Sequence, residues 1–195
     1  MSKIAIKGAT TGTGVFTLES PATNTDRVLV LPDEAGTVLT SGTPVLAQKG
    51  TPAFSAYQTN GNANQSISSD VWTKANIDTE EFDTNSNFDT SNGRFTPTVA
   101  GYYQINGCLL LRNAAACALK IVAVYKNGSA YKQGTQLYFT GNYYIAADCF
   151  TVSTLVYLNG STDYVELYAY ISSSSASIGY GSELSWFNGA LVRAA

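Results

Sequence analysis

The sequence has 195 residues, of which 45% are hydrophobic and 13% are charged, and its formal net charge at pH 7 is −3. This length and apolar content suit one globular domain with a small additional segment and exclude a disordered chain. The eleven Lys and Arg residues are scattered, so nothing in the charge pattern favours nucleic acid as a partner. Histidine is absent, which removes imidazole-based nucleophile activation and a common metal ligand, so we expect a protein that is not an enzyme.

The chain opens with MSKIAIKGATTGTG, which has no apolar run of signal-peptide length, and no later segment is long enough to span a membrane. We therefore expect synthesis in a cytoplasm and no membrane insertion. Cys108, Cys117 and Cys149 are odd in number and lack a CxxC spacing. This pattern favours buried free thiols over a disulfide framework or a zinc site.

Residues 1–42 contain four short strand-like pieces, IAIKGA, VFTLES, RVLVLP and TVLTSG, separated by turn residues. Each piece is too small to bury an apolar face alone, so the sequence predicts a β stalk or attachment segment that needs a partner to cover it. Residues 43–52 carry Pro44, Gly50 and Pro52 and are typical of a short linker. We expect a separate domain over residues 53–195.

Within residues 53–195, short alternating segments are separated by strong turn signals. Asn127-Gly128 is the clearest hairpin signal, and Asn159-Gly160 marks a second turn. The segment TEEFDTNS, residues 79–86, is polar and is interpreted as a connection. Gly, Ser, Thr, Asn and Tyr are abundant, so we expect almost no helix and an all-β sandwich of eight or more strands.

One segment, residues 87–111, combines an aromatic residue, a turn, a second aromatic residue and a Gly-x-Tyr strand. It contains Phe88, Asn92-Gly93, Phe95 and Gly101, and in this order it resembles the core signature of the C1q/TNF-like jelly roll. Later matches are Val122, Tyr125, Asn127, Gly128, Leu158, Asp163, Val165, Leu167, Phe187, Gly189 and Leu191, with departures at Thr162, Asn188 and Ala190. The resemblance implies a jelly-roll head over residues 53–195 that forms a homotrimer, with one sheet of each copy facing the threefold axis.

The N-terminal segment carries a second resemblance. The order Phe16-Thr17-Leu18, Pro21-Ala22, Leu31-Pro32 and Gly36-Thr37-Val38-Leu39-Thr40 is similar to small β modules of bacteriophage tail fibres. It implies a virion fibre protein, located in the virion, that attaches to other virion proteins through residues 1–42. The C-terminal head would then recognise a receptor on the host.

Alternation in the segment from Thr162 to Ile171 divides its side chains into two sets. Val165, Leu167 and Ala169 suit the interior of the sandwich, whereas Tyr164, Glu166, Tyr168 and Tyr170 lie on the other side. Tyrosines with a polar tip are favoured at interfaces. We predict that Tyr164, Tyr168 and Tyr170, with Tyr102 and Gln104 from a neighbouring strand, line the trimer axis. The alternative is a solvated tyrosine face on a monomer.

Four acidic residues, Asp78, Glu80, Glu81 and Asp83, lie within six positions. Paired carboxylates can bind calcium or support glycoside hydrolysis, but this spacing matches no EF-hand loop. A solvated charged turn is the favoured interpretation, and no cofactor is expected. The C1q-like resemblance keeps a Ca²⁺ ion at the trimer axis open as an alternative.

The segment around Gly141-Asn142 is rich in aromatic and amide side chains. Tyr138, Asn142, Tyr143 and Tyr144 have the composition that stacks on and hydrogen-bonds neutral sugar rings, so they are predicted to bind a host surface glycan. These residues could equally pack under the loop or against a neighbouring subunit.

Three other roles remain open at this point. The chain could be a structural virion component, such as a head decoration or connector, that binds no receptor. It could be a bacterial C1q-like binding protein, although no signal sequence or collagen-like repeat supports this. A glycan-cleaving tailspike is disfavoured because the sequence offers no separated carboxylate pair in a recognisable frame.

Overall fold

The computed structural model describes residues 51–140 and 147–195. The chain divides into two units, Met1–Thr43 and Pro44–Ala195, and all the described residues belong to the second. The predicted stalk over residues 1–42 lies outside the described residues. The boundaries of the three predicted segments therefore stay predictions.

The described residues are almost entirely β-structure, as expected, with one short turn of 3₁₀ helix at Asn60–Asn62. The strands are β1 (Ala53–Tyr57), β2 (Gln65–Ile67), β3 (Thr73–Lys74), β4 (Thr79–Asp83), β5 (Phe88–Asp89), β6 (Arg94–Phe95), β7 (Ala100–Asn113), β8 (Leu119–Lys126), β9 (Ser129–Tyr138), β10 (Ala147–Asn159), β11 (Val165–Ile171), β12 (Ala176–Gly179) and β13 (Trp186–Ala194). No helix in residues 51–140 or 147–195 has the length and apolarity to cross a membrane.

The strands form two antiparallel sheets. Sheet 1 has the order β2-β12-β7-β13-β1-β4. In addition, the whole of β10 pairs with residues 100–112 of β7. Sheet 2 has the order β5-β6-β11-β8-β9, with β3 also paired to β11. Strand β4 corrects the interpretation of residues 79–86 as a connection, because Thr79–Asp83 pairs with β1 at the edge of sheet 1.

The core lies between the two sheets and is built from alternate residues of the long strands. Strand β11 contributes Val165, Leu167 and Ala169, all fully buried, as the alternation predicted. Fully burying each large aliphatic or aromatic side chain contributes about 1.5–3 kcal/mol. Phe54 of β1 stacks on Phe95 with ring centroids 4.3 Å apart, so an aromatic residue of the sequence signature packs at the centre of the sandwich.

Two turns show why Asn-Gly pairs are placed where they are. Asn127 and Gly128 have φ angles of 52° and 77°, and this pair of positive angles closes the tight hairpin between β8 and β9, as predicted. At the second turn, a Cβ on Gly160 would come within 2.3 Å of the backbone nitrogen of Ala100. Only glycine fits there, where the chain leaves sheet 1 for sheet 2.

The sandwich has two ends, which we call the base and the tip. At the base, the N–H of Leu191 donates to the carbonyl of Pro52, and the N–H of Ala195 donates to that of Ala100. The tip is the opposite end, where residues 112–118 and 172–176 meet through backbone hydrogen bonds.

Candidate functional site

The five residues predicted to line a trimer axis do not share a surface. Tyr102 and Gln104 lie on β7 in sheet 1, whereas Tyr168 and Tyr170 lie on β11 in sheet 2, and Tyr164 directly precedes β11. The outer faces of the two sheets of a sandwich point in opposite directions. The prediction of one shared surface was therefore wrong, because alternation along a strand identifies its outer side but not the sheet that contains it.

The tyrosines of sheet 2 are covered by the chain itself. Tyr168 stacks on Tyr125 with ring centroids 3.8 Å apart. Trp72 packs against Tyr125 at 5.7 Å and against Tyr170 at 5.4 Å. The hydroxyl of Tyr170 donates to the carboxylate of Asp70 at 3.1 Å. These tyrosine rings pack against other side chains of the same copy of the chain, so this face does not need a second copy to cover it.

A buried carboxylate anchors the same face. The side chain of Glu166 is 2% exposed and accepts hydrogen bonds from Arg94 Nε at 3.0 Å and Nη2 at 2.9 Å, and from Lys74 Nζ at 3.2 Å. The Arg94 guanidinium also lies 3.7 Å from the centroid of the Tyr164 ring. A buried charge is tolerated only when it is paired in this way, so Glu166 has a structural role.

The outer face of sheet 1, by contrast, exposes apolar side chains to solvent. Large apolar side chains are exposed on four of its strands, namely Phe82, Tyr102, Leu155, Tyr157 and Val192. Tyr102 and Tyr157 are register partners, and their ring centroids are 5.5 Å apart. Several exposed apolar side chains on one face of a sheet mark a candidate interaction surface.

A row of polar side chains crosses this apolar face. Ser153, Asn106, Asn188 and Ser55 are register partners on β10, β7, β13 and β1. Asn106 Nδ2 donates to Asn188 Oδ1 at 3.1 Å, and Ser153 Oγ donates to Asn106 Oδ1 at 2.9 Å. Beside this row is an open trough of about 280 Å³, lined by Ala53, Phe54, Ser55, Phe82, Gln104, Asn106, Asn188, Gly189 and Ala190.

The cysteines are free, but not all of them are buried as predicted. Cys108 and Cys117 are buried, whereas Cys149 is exposed. Burial, and to a smaller extent the neighbouring Cys149, raises the pKa of the Cys108 thiol to about 12. Cys108 is therefore a protonated and unreactive packing residue at neutral pH.

Three of the four acidic residues proposed as weak metal ligands are used in separate contacts. Asp78 accepts from the backbone N–H of Asn60 at 2.8 Å, Glu81 accepts from Ser55 Oγ at 2.7 Å, and Asp83 accepts from the N–H of Phe88 at 2.6 Å. Glu80 is exposed. Among the residues described, no three His, Cys, Asp or Glu side chains group as metal ligands. A calcium ion on a threefold axis would need several copies of the chain and stays a prediction.

Of the four predicted glycan-binding residues, the structure describes Tyr138, which lies at the tip. Tyr138 ends β9 opposite Leu119 and is 73% exposed. The neighbouring Phe139 instead packs against the core. Asn142, Tyr143 and Tyr144 lie outside the described residues.

Sequence reasoning missed a polar cleft at the tip. The cleft, of about 480 Å³, lies between the ends of β2, β7 and β12 and includes Arg112 and Asn113. These two residues match no motif. They meet the serines of β2 and β12 only because Arg112 pairs with Ser177, which in turn pairs with Ser66.

No model of a known protein family and no curated protein matches the chain. The described architecture is that of an antiparallel jelly-roll sandwich. Among solved structures, the globular domain of zebrafish complement 1qA is 14% identical, has a TM-score of 0.52 and covers 74% of this chain and 99% of its own. Eiger TNF from S. frugiperda is 8% identical, with a TM-score of 0.53 and coverages of 74% and 93%. Murine APRIL is 8% identical, with a TM-score of 0.51 and coverages of 73% and 99%.

These likenesses define the fold. The described residues have the C1q/TNF-like jelly-roll fold, as the sequence signature predicted.

Proposed function

We propose that the chain is a homotrimeric fibre protein of a bacteriophage virion, in which residues 1–42 attach to other virion proteins and the jelly-roll head binds a glycan on the host. The role is one of binding, without catalysis or a cofactor. The observation that carries the proposal is the exposed apolar outer face of sheet 1. The phage context is supported by the fibre-like order of residues in the N-terminal segment.

Sheet 1 is the face that self-association would cover. Its exposed aromatic and aliphatic side chains lie beside a trough, whereas the rings of sheet 2 are already packed by Trp72. Obligate interfaces bury about 2,000 Å² or more in total and have apolar centres. The C1q/TNF resemblance implies a threefold arrangement with one sheet facing the axis, and sheet 1 is the sheet whose composition suits that position.

The assembly is tested by measuring the mass of the full-length protein in solution by light scattering. We expect the mass of a trimer for the natural chain and a smaller mass for Leu155→Arg, because a charge on the covered face is costly to bury. The matched control is Val71→Arg, an exposed apolar residue outside sheet 1, which should leave the trimer intact. A monomeric natural chain, or equal effects of both variants, would contradict assembly through sheet 1.

Receptor binding would gain from assembly, because three equivalent weak sites on one rigid head bind a repetitive surface with increased avidity. The test is binding of the fluorescently labelled full-length protein to a panel of bacterial strains, with purified surface polysaccharides as competitors. We expect saturable binding to some strains that a polysaccharide competes away. Tyr138→Ala should weaken this binding, and Tyr180→Ala, another exposed tyrosine, is the control. A trimer that binds no strain and no polysaccharide would favour the structural virion role.

A further inference from the structure

The surface of sheet 1 has two unlike parts, a ridge and a trough. The ridge consists of Tyr131, Leu155, Tyr157 and Tyr102, which are between 38% and 50% exposed. The trough has a volume of about 280 Å³ and lies on strands β1, β4, β7 and β13. A ring closed around a threefold axis needs two different contact surfaces on each copy, because each copy meets its two neighbours in different ways. The ridge and the trough meet that requirement.

The ridge is continuous along the edge where β9 and β10 meet. Tyr157 and Tyr102 are register partners whose ring centroids are 5.5 Å apart. The hydroxyl of Tyr131 donates to the carbonyl of Leu155 at 3.2 Å, which holds the Tyr131 side chain beside β10. Lys132 Nζ lies 5.6 Å from the centroid of the Tyr131 ring. The ridge is therefore an apolar projection with a cation at its side.

One row of register partners leads from the ridge into the trough. The row runs from Leu155 on β10 through Gln104 on β7 and Ala190 on β13 to Ala53 on β1. It begins with a large apolar side chain and ends with two alanines, so the surface falls across the sheet. Phe82, on the edge strand β4, lines the far side of the trough. The trough thus has an apolar floor and wall that suit an inserted apolar side chain.

The two parts also carry opposite charges that find no partner within one copy. The carboxylate of Glu81 accepts from Ser55 Oγ at 2.7 Å, and Ser55 lines the trough. Lys132 lies beside the ridge, and both charged residues are exposed. The ion pairs formed within residues 51–140 and 147–195 involve other side chains. Opposite charges on two surfaces favour contact between those surfaces and fix its register.

We propose that copies of the chain assemble head to tail, with the ridge of one copy seated in the trough of the next. Leu155 contacts the surface around Ala190 and Ala53 of the neighbouring copy, and Lys132 pairs with Glu81 of that copy. Three such contacts close a ring and cover both surfaces. The inference deepens the proposed function and rests on it, since it names the surface of the second copy that covers sheet 1.

Three other arrangements lead to different results. If ridges met each other around a twofold axis, Leu155 would contact Leu155 and the troughs would stay empty. If ridge and trough met around a twofold axis, the assembly would close as a dimer. If Glu81 only protected the edge strand β4 against pairing with another strand, its charge would be independent of Lys132.

The main experiment crosslinks two variants of the full-length chain. Leu155→Cys and Ala190→Cys are co-expressed and treated with bismaleimidoethane, a short crosslinker of thiols. Both carry Cys149→Ser, because Cys149 is exposed on β10. We expect a covalent dimer whose linked peptides join position 155 of one chain to position 190 of the other. Either variant expressed alone should give no covalent dimer, since its only introduced thiol faces a residue without one.

Each other outcome overturns the proposal in a different way. A link between two 155 positions in Leu155→Cys alone would show that the ridges meet each other. A trimer by light scattering that gives no covalent dimer would refute the head-to-tail contact and leave the trimer of the proposed function intact. A linked oligomer with the mass of a dimer would refute the threefold ring. A monomeric natural chain would refute assembly itself.

Charge exchange tests the polar part of the contact. Lys132→Glu and Glu81→Lys should each weaken the trimer at least about tenfold on dilution, measured by mass photometry, because like charges then face each other. The double variant restores opposite charges and should recover most of this loss. The matched control combines Lys132→Glu with Glu183→Lys, which changes an exposed acid in the loop before β13 and gives the same net charge. Equal recovery in both double variants, or in neither, would overturn the pairing. Thermal unfolding of each variant verifies that it is folded.

Discussion

Glu166 shows how one charge can be fixed on the outer side of a sheet. Its carboxylate is buried and receives hydrogen bonds from Arg94 and Lys74, so Glu166→Gln removes the partner of two cations. We expect a loss of about 1.5–3 kcal/mol in the free energy of unfolding, the usual range for hydrogen bonds to charged groups. Urea unfolding followed by fluorescence measures this loss. Glu80→Gln, at an exposed position, should change it by less than about 0.5 kcal/mol, and similar losses in both variants would contradict the assignment.

Tyr103 and Cys108 make the stability of the domain depend on alkaline pH. Burial raises the pKa of Tyr103 from 10.0 to about 12, and burial with the neighbouring Cys149 raises that of Cys108 from 9.0 to about 12. Between pH 9 and pH 12 the unfolded chain therefore binds fewer protons than the folded chain, and the free energy of unfolding falls as the pH rises.

The test compares urea midpoints at about pH 8 and about pH 10.5, and the midpoint should be lower at the higher pH. Tyr103→Phe should reduce the pH dependence above the ordinary tyrosine pKa. At neutral pH the same variant should cost about 1 kcal/mol, through loss of the hydrogen bond that Tyr103 donates to the Val99 carbonyl. A midpoint that does not change with pH would show that neither group is protected by burial.

At the scale of elements, the segment between β2 and β4 acts as a cover for sheet 2. Its Trp72 contacts both Tyr125 and Tyr170. Trp72→Ala should therefore destabilise the domain by about 1–3 kcal/mol and increase the exposure of these tyrosines. If sheet 2 is not an assembly face, light scattering should find the same oligomer as for the natural chain. Dissociation without a loss of stability would instead return the trimer axis to Tyr164, Tyr168 and Tyr170.

Element formation was predictable where local chemistry decides it. The hairpin at Asn127-Gly128 follows from two positive φ angles that Asn and Gly tolerate, and the interior set on β11 follows from strict alternation. Strand β4 was missed because TEEFD has a single apolar residue, Phe82, and therefore carries no apolar period. Its pairing with β1 is decided by the neighbouring strand and not by its own propensity.

At the scale of the whole molecule, the polar row on sheet 1 should control how copies assemble. Asn106 and Asn188 are joined by a hydrogen bond in the middle of an apolar face. Replacing both with Leu removes both partners of this hydrogen bond, although Ser153 also loses its acceptor on Asn106, and association should tighten because the face becomes more apolar. The loss of a polar constraint should also permit other arrangements, and native mass spectrometry should show several oligomer sizes. One unchanged oligomer would show that the row does not specify the assembly.

The fold was predictable from the sequence, but the surfaces were only partly so. Turn residues and aromatic positions such as Phe88 and Phe95 identified the jelly roll before any pairing was known. The division of Tyr102 and Tyr168 between two sheets depends on long-range strand order, which no local pattern encodes. The tip cleft depends on the same kind of pairing, since Arg112 meets Ser177 from a distant part of the chain.

The hydrogen bonds at the base indicate where a label, tag or foreign peptide can be added to the head. Because Leu191 bonds to Pro52 and Ala195 bonds to Ala100, a peptide joined after Ala195 emerges beside the point where the chain enters the domain. A fluorescent label or affinity tag placed there lies at the base, while the tip stays clear for ligands. Conversely, a foreign epitope intended for display belongs in the serine loop at 172–175, at the cost of access to the tip cleft.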